Sequence, residues 1–182
     1  MIKPSTDVML DLETCGTSPG CIILSIGACT FDLQHEFYER ISVIDSAEYG
    51  FTEDPGTMAW WDKQNPDMRD EAFSGSQSVV EVLGRFSDWF KRLPAKSVYV
   101  WGNGADFDQP ILKAYYEGML MPVPWKPYNG RCYRTLKNLY PFIKGPTSNA
   151  SHHHALEDAK WQAVHAREIL GRHFQGQQRY QD

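Results

Sequence analysis

Three acidic segments, far apart in the chain, carry the side chains best suited to chemistry. Asp11 and Glu13 stand near the start, Asp108 follows Phe107 in the middle, and Asp158 lies near the end. Carboxylates that share one site repel each other unless cations neutralise their charge. If the fold brings these segments together, the sequence therefore predicts a site that binds divalent metal ions.

A run of three histidines, at 152–154, directly precedes the last acidic segment and lies inside the chain rather than at a terminus. Imidazole has an ordinary pKa of about 6.5, so a histidine beside the acids can take up a proton near pH 7. A short histidine tract alone is more often a polar loop. The tract therefore gains weight only from the acids that follow it.

Each acid also has an ordinary structural explanation. Asp11 and Glu13 share one face if their strand extends through them, but both are solvated if it ends near Leu10. Asp108 is well placed to cap the N-terminus of a helix. Asp158 falls in the first turn of a predicted helix, where acidic side chains suit the helix dipole. No single segment therefore decides between chemistry and structure.

The elements that must position these segments follow from hydrophobic patterning. Short apolar runs predict strands at 8–10 (leading into the first acids), 21–31, 37–43 and 97–101. Apolar periodicity, caps and stops predict helices at 57–64, 78–93, 108–116, 131–140 and 155–170. Gly171 is expected to end the last helix. Strands followed by helices around a fourth strand favour an α/β fold with a mixed sheet.

The composition bounds the class of protein. The 182 residues suit a single domain spanning 1–182, and 42% of them are hydrophobic. The net charge of −5 is unlike that of a protein that coats nucleic acid, although it allows an enzyme that grips only a strand end. Cysteines without metal-binding spacing, no signal-peptide pattern and no membrane-spanning run favour a cytoplasmic protein.

Taken in order, the segments resemble the three motifs of the DEDDh 3′–5′ exonucleases, a family of the ribonuclease-H-like superfamily. Residues 11–14 are similar to its D-x-E-T, residues 107–112 to its F-D-x-x-x-L, and residues 153–159 to its H-x-A-x-x-D-A. Within the family, the chain most resembles small phage and bacterial members such as exonuclease A and exodeoxyribonuclease VIII-like proteins. The resemblance implies a ribonuclease-H-like mixed β-sheet flanked by helices.

One spacing departs from the family pattern. The family's asparagine stands four residues before its central aspartate, whereas Asn103 stands five before Asp108. Asp106 offers a different alignment, but the frame set by Phe107 and Leu112 favours Asp108. The role of Asn103 is left open by this shift.

The resemblance implies hydrolysis of phosphodiester bonds at nucleic-acid 3′ ends, with release of nucleoside monophosphates. It assigns two Mg²⁺ or Mn²⁺ ions to Asp11, Glu13, Asp108 and Asp158, with Asp11 bridging both ions. His153 matches the family's general base. The expected partner is single-stranded or 3′-overhang DNA or RNA, with no membrane. The choice between DNA and RNA stays open, as does the oligomeric state, a homodimer included.

Aromatic and basic side chains are the candidates for holding a strand. Trp60 and Trp61 are neighbours on a predicted helix, where side chains point about 100° apart, so one is expected to pack inward and the other to face the cleft. A stretch without acids carries Lys126, Arg131, Arg134, Lys137 and Lys144, with Trp125, Tyr128 and Tyr133 interleaved. It suggests a strand-binding surface, although a loop and helix that merely happen to be basic fit equally well. The expected substrate-binding residues are Thr14, Trp60, Trp61, Asn103, Phe107, Arg131 and Arg134.

Two other classes of protein compete with this interpretation. A catalytically silent domain of the same family would bind nucleic acid or a protein partner, but all five catalytic positions are filled in this sequence. A histidine–cysteine metal protein would need cysteines at ligand spacing, which the sequence lacks. Metal-dependent loss of labelled 3′ ends separates the exonuclease from both.

Overall fold

The computed structural model describes residues 6–95, 97–147 and 153–178, with side chains as far as residue 173. Its strands are β1 (Thr6–Thr14), β2 (Ile23–Thr30), β3 (Glu36–Arg40), β4 (Val98–Gly102) and β5 (Gly130–Cys132). They form one sheet in the order β3-β2-β1-β4-β5. β1 to β3 are antiparallel neighbours, whereas β4 pairs with β1, and β5 with β4, in parallel. The predicted mixed sheet is therefore confirmed.

Helices cover both faces of this sheet. They are α1 (Val43–Glu48), α2 (Pro55–Trp61), α3 (Pro66–Phe73), α4 (Val79–Lys91), α5 (Asp108–Gly118), α6 (Tyr133–Leu139) and α7 (Ala155–Gln178). The helix predicted at 78–93 is α4, and Ser78 caps it, because its hydroxyl accepts a hydrogen bond from the N–H of Glu81. The prediction that Gly171 ends the last helix is wrong, since α7 continues through it to Gln178.

Alternate residues of β1 belong to two different cores. Val8, Leu10 and Leu12 are buried in the larger core, with side chains of α4 and α5. Met9 belongs to the smaller core, together with three alanines of α7, Ala159, Ala163 and Ala166, and Leu170 packs against this core. Because side chains alternate along a strand, Asp11 and Glu13 lie on the face of Met9, beneath α7.

Other sequence expectations concern the thiols and the membrane. All four cysteines are free, and three of them are buried. No helix among the described residues is long and apolar enough to cross a membrane. The cytoplasmic location stays a prediction.

Candidate active site

The strand β1 extends through the first two acids instead of ending near Leu10. Asp11 pairs with Gly27, and Glu13 with Ser25, of the neighbouring strand β2. Glu13 is only 8% exposed. Oδ1 of Asp11 accepts a 2.7 Å hydrogen bond from Nε2 of Gln162 on α7. Both acids therefore lie where the helix that carries Asp158 crosses the sheet.

The start of α7 brings a histidine and a third acid to this place. One ring nitrogen of His153 and one carboxylate oxygen each of Glu13 and Asp158 lie within 4.8 Å of one another. The backbone N–H of His153 donates a 2.9 Å hydrogen bond to Oδ2 of Asp158. His153 has a φ of 70°, in the left-handed region. This bond helps to hold the backbone in a conformation that non-glycine residues rarely adopt.

The fourth acid, Asp108, joins two strands at the point where they separate. It is the first residue of α5, and the cap position before it belongs to Phe107, whose side chain makes no capping bond. Oδ1 of Asp108 accepts the N–H of Leu12 at 3.2 Å, and Oδ2 accepts the N–H of Asn103 at 2.6 Å. The helix-cap explanation of Asp108 is therefore wrong. Asp108 is buried, whereas Asp106 is exposed. This difference supports the alignment in which Asp108 is the central aspartate of the motif.

Burial and mutual repulsion disfavour ionisation of three acids in this cluster. Burial is the main cause that raises the pKa of Asp11 well above its usual range, and the charges of Asp108, Glu13 and Asp158 raise it further. Burial, then Asp158 and Asp108, raise the pKa of Glu13 to about 8. Burial raises the pKa of Asp108 to about 7, despite its hydrogen bonds from backbone N–H groups. These three acids can therefore all be ionised near pH 7 only if cations compensate their charge.

The donor set around the acids suits hard divalent cations. Asp11, Glu13, Asp108 and Asp158 offer carboxylate oxygens, the ligands that Mg²⁺ and Mn²⁺ prefer. Two further acceptors near them, Oδ1 of Asn103 and Oε1 of Gln162, are buried and lack a hydrogen-bond partner among the described residues. Buried acceptors normally have a donor, and water that hydrates a cation would supply one. The site therefore fits a divalent metal.

The acids open into a cavity with aromatic walls. Asp11, Glu13, Asp158 and His153 line a space of about 680 Å³. Five of the expected substrate-binding residues line it too, namely Thr14, Trp60, Trp61, Asn103 and Phe107. The cavity is thus wide enough for a nucleotide-sized group beside the acids.

The two neighbouring tryptophans divide their roles as predicted. Trp61 is 1% exposed, and its Nε1 donates to the carbonyl oxygen of Thr14 at 2.9 Å. Trp60 is 39% exposed. The ring of Trp60 meets that of His153 edge to face, with centroids 4.8 Å apart. Trp61 therefore braces the end of β1, whereas Trp60 offers a free ring surface to the cleft.

The basic stretch divides between the cleft and the rest of the surface. Arg134 lines an adjoining cavity of about 400 Å³ together with Asp11 and Asp108, and Lys137 lines the larger cavity. Arg131 lines neither, because its guanidinium lies 4.3 Å from the ring centre of Tyr99. The structure thus does not bring Arg131 to the cleft, contrary to the prediction. The interleaved Trp125 and Tyr133 are buried in the cores and offer no exposed stacking surface.

Gln162 is a site residue that the sequence prediction missed. It lies four residues after Asp158, hence on the same face of α7, and its amide contacts Asp11. The four-residue spacing between Asp158 and Gln162 is the feature of the sequence from which this position could have been found. His152, the first of the three histidines, lies outside the described residues.

Comparisons with known proteins first define the class. Among solved structures, the chain is similar to the crystal structure of the nuclease domain of 3′hExo, a DEDDh family member, bound to rAMP. The TM-score is 0.61, with 14% sequence identity and 92% of each chain covered. This likeness shows the fold. Together with the acids and the histidine, it is the architecture of a DEDDh nuclease.

The family follows from the sequence itself. The model of the 3′–5′ exoribonuclease Rv2179c-like domain family matches residues 6–170, so the chain belongs to that family. The chain is therefore a 3′–5′ exonuclease, and the predicted DEDDh membership is confirmed. Among curated proteins, none matches the chain. The finer resemblance to exonuclease A and exodeoxyribonuclease VIII-like proteins stays a prediction.

Proposed function

We propose that the chain removes nucleoside monophosphates from nucleic-acid 3′ ends in a reaction that needs two divalent metal ions. One observation carries this proposal. His153, Glu13 and Asp158 converge within 4.8 Å, beside Asp11, whose pKa responds to the charges of Asp108, Glu13 and Asp158. Four acids and one base at one point form the set of groups that phosphodiester hydrolysis by water requires.

Each side chain has a role in this proposal. Asp11, Glu13, Asp108 and Asp158 would hold Mg²⁺ or Mn²⁺. When bound, such a pair of cations stabilises negative charge on the attacking and leaving oxygens. His153 takes the proton from the attacking water, because its ring nitrogen lies beside the carboxylates of Glu13 and Asp158. The hydrogen bond from its backbone to Asp158 keeps the ring at that place.

The walls of the cleft hold the end of the strand. The exposed ring of Trp60 and the half-buried ring of Phe107 offer stacking surfaces for a terminal base. Thr14 and Asn103 line the same cavity and contact the terminal nucleotide. Arg134 lies beside Asp11 and Asp108 in the adjoining cavity, where a guanidinium binds the phosphate of the next nucleotide.

RNA is the proposed substrate class. The matching family is described as 3′–5′ exoribonucleases, and the solved nuclease domain of similar fold was bound to rAMP. A cleft that receives a strand end favours single-stranded or 3′-overhang substrates, because a duplex end would first have to open.

The test is digestion of matched substrates. RNA and DNA of one sequence, labelled at either end, are offered as single strands, blunt duplexes and 3′ overhangs with Mg²⁺, Mn²⁺ or EDTA. The 5′ label should report a descending ladder, and the 3′ label should appear as a mononucleotide, in both cases only with metal. Binding without cleavage under every metal condition would favour the silent-domain alternative.

A pair of isosteric substitutions controls this assay. Asp11→Asn should abolish hydrolysis and leave the protein folded, because it removes a charge that the apo cluster repels. Asp88→Asn is the matched control, because this exposed acid pairs with Lys91 on the surface of α4. Near-normal activity of Asp11→Asn with Mg²⁺ would contradict the two-metal proposal.

A further inference from the structure

Gln162 is a buried polar side chain in the site to which the proposed mechanism assigns no role. It is 5% exposed, and its Nε2 donates a 2.7 Å hydrogen bond to Oδ1 of Asp11. Its Oε1 is buried and has no hydrogen-bond partner among the described residues. A buried acceptor without a donor is energetically costly. We therefore expect a group in the cleft to donate a hydrogen bond to Oε1.

In the metal-bound protein, where a cation keeps Asp11 ionised, the charge on Asp11 determines which way the Gln162 amide points. A carboxylate accepts hydrogen bonds and cannot donate them. The amino group of Gln162 therefore faces Asp11, since the exchanged orientation would set its carbonyl oxygen against a carboxylate oxygen. The carbonyl oxygen is left for the cavity that both side chains line.

Three donor-bearing side chains that line this cavity have other partners. The ammonium group of Lys137 lies over the ring of Tyr133. The indole nitrogen of Trp161 donates to the carbonyl oxygen of Pro146, and that of Trp61 donates to Thr14. Because no described residue donates to Oε1, we infer that its donor enters the cleft, and water that hydrates a cation at Asp11 has the right chemistry.

We propose that Gln162 is a positioning residue of the metal site. Its amide nitrogen holds the carboxylate of Asp11 in its metal-binding orientation, and its carbonyl oxygen accepts a hydrogen bond from water that hydrates the cation. The inference rests on the proposed function in one respect, the assignment of Asp11 as a metal ligand. Partners of this kind typically change metal affinity about 10–100-fold when removed.

Gln162→Met tests the proposal, because methionine keeps the length of the side chain and removes both polar groups. Mn²⁺ binding is measured without nucleic acid, from the electron paramagnetic resonance signal of free Mn²⁺. The affinity should fall about 10–100-fold, and at saturating Mn²⁺ kcat should fall while KM for an oligonucleotide is kept. Gln34→Met, at an exposed glutamine that lines neither cavity, should match the wild type. A folded Gln162→Met with wild-type Mn²⁺ affinity overturns the proposal.

A second measurement uses the wild-type protein and needs no folded variant. In ¹⁵N-labelled protein, Mg²⁺ should shift the side-chain amide resonances of Gln162 and leave those of Gln34 unchanged. Unmoved Gln162 resonances at saturating Mg²⁺ overturn the proposal. Both measurements work without hydrolysis, so an enzyme that binds Mn²⁺ but cuts no nucleic acid would refute the proposed function and still decide the role of Gln162.

Discussion

Gly27 of β2 and Ala155, the first residue of α7, are in backbone contact. A Cβ on Gly27 would lie 2.2 Å from the carbonyl carbon of Ala155, closer than atoms can approach. Gly27 also pairs with Asp11 on the neighbouring strand. The missing side chain therefore lets the start of α7, with Asp158, approach the acids of β1.

Gly27→Ala should destabilise the protein by about 1–3 kcal/mol, the usual cost of overpacking. Hydrolysis should fall more than stability explains, because the displaced helix start moves Asp158 and His153 away from Glu13. Urea unfolding and kcat under folded conditions measure the two effects. Gly84→Ala, in the middle of α4, is the control: its Cβ would meet nothing within 4 Å, so a gain of about 0.5–1 kcal/mol is expected. Full activity of a folded Gly27→Ala would contradict the spacing argument.

The acid cluster makes the metal-free protein sensitive to pH. Folding raises the pKa of Glu13 from 4.5 to about 8. Between these values the folded state binds more protons than the unfolded state, so this group's contribution to the free energy of unfolding falls as pH rises. In EDTA, the stability of wild type relative to Glu13→Gln should therefore decrease from about pH 4.5 to 8. Saturating Mg²⁺ should oppose this decrease, since the cation takes the place of the protons.

Chemical denaturation at several pH values checks this prediction. The difference between wild type and variant isolates Glu13 from the other titrating groups. A difference that stays constant over that range without metal would mean that Glu13 is not held among repelling acids.

Elements with a strong periodic pattern could be predicted from the sequence, whereas short ones could not. The thirteen residues of α4 carry a continuous apolar stripe and a capping serine. By contrast, α1 has six residues and β5 has three, too few to show a period. The sequence favours Asn65 and Pro66 as the stop of the predicted helix at 57–64, but in the structure Asn65 caps α3 and Pro66 begins it. A cap and a stop use the same residue types, so local sequence leaves their meaning open.

The site itself could be predicted where spacing carries the information. Asp11 and Glu13 share a face because side chains alternate along a strand, and Trp60 and Trp61 diverge because of the turn of a helix. The sequence could not show that Arg131 lies away from the cleft, because a basic composition does not say towards which face of the sheet a side chain points. That depends on β5, whose pairing with β4 is a long-range contact.

The alignment of the central motif assigns the metal-binding role to Asp108 and not to its neighbour Asp106. Asp108→Ala should be nearly inactive, because Asp108 is buried against Leu12 and Asn103 beside the other acids. Asp106→Ala should be mildly affected, because Asp106 is exposed at the rim of the smaller cavity. Steady-state hydrolysis at saturating Mg²⁺ ranks the two variants, and the reverse ranking would contradict the frame. Since Asp108 also joins β1 to β4, its variant is compared with the wild type only after circular dichroism shows a folded protein.

Two arginines on one basic stretch should differ in their effect on substrate binding. Arg134→Ala should raise KM for an oligonucleotide, because Arg134 lines the cavity that contains Asp11 and Asp108. Loss of a charged hydrogen bond typically costs about 1.5–3 kcal/mol, roughly 10–100-fold in KM. Arg131→Ala should leave KM nearly unchanged, since Arg131 lies over Tyr99. Measurements of KM at several salt concentrations test this prediction. An equal rise in KM for both variants would instead support a broad basic surface that binds the strand through both arginines.

His153 is predicted to be the base, and its neighbour His154 provides a close comparison. His153→Ala should lower kcat by about 10²–10⁴-fold, the usual contribution of a general base, with Mn²⁺ binding largely kept. Activity should recover in part at high pH, where hydroxide replaces the base. His154→Ala should cost far less, because the ring of His154 stacks on Tyr38, with centroids 4.3 Å apart, and does not line the larger cavity. His152→Ala carries the same prediction from the sequence.

The pH profile of kcat distinguishes a general base at His153 from a purely structural role of its side chain. Removal of a base changes the shape of the profile, whereas removal of a loop contact lowers kcat equally at every pH. Equal losses at His153 and His154 would therefore indicate a structural role for the loop. If the main loss falls on His154, the five-residue spacing to Asp158 has misidentified the base, even though the ring of His153 lies beside Glu13 and Asp158.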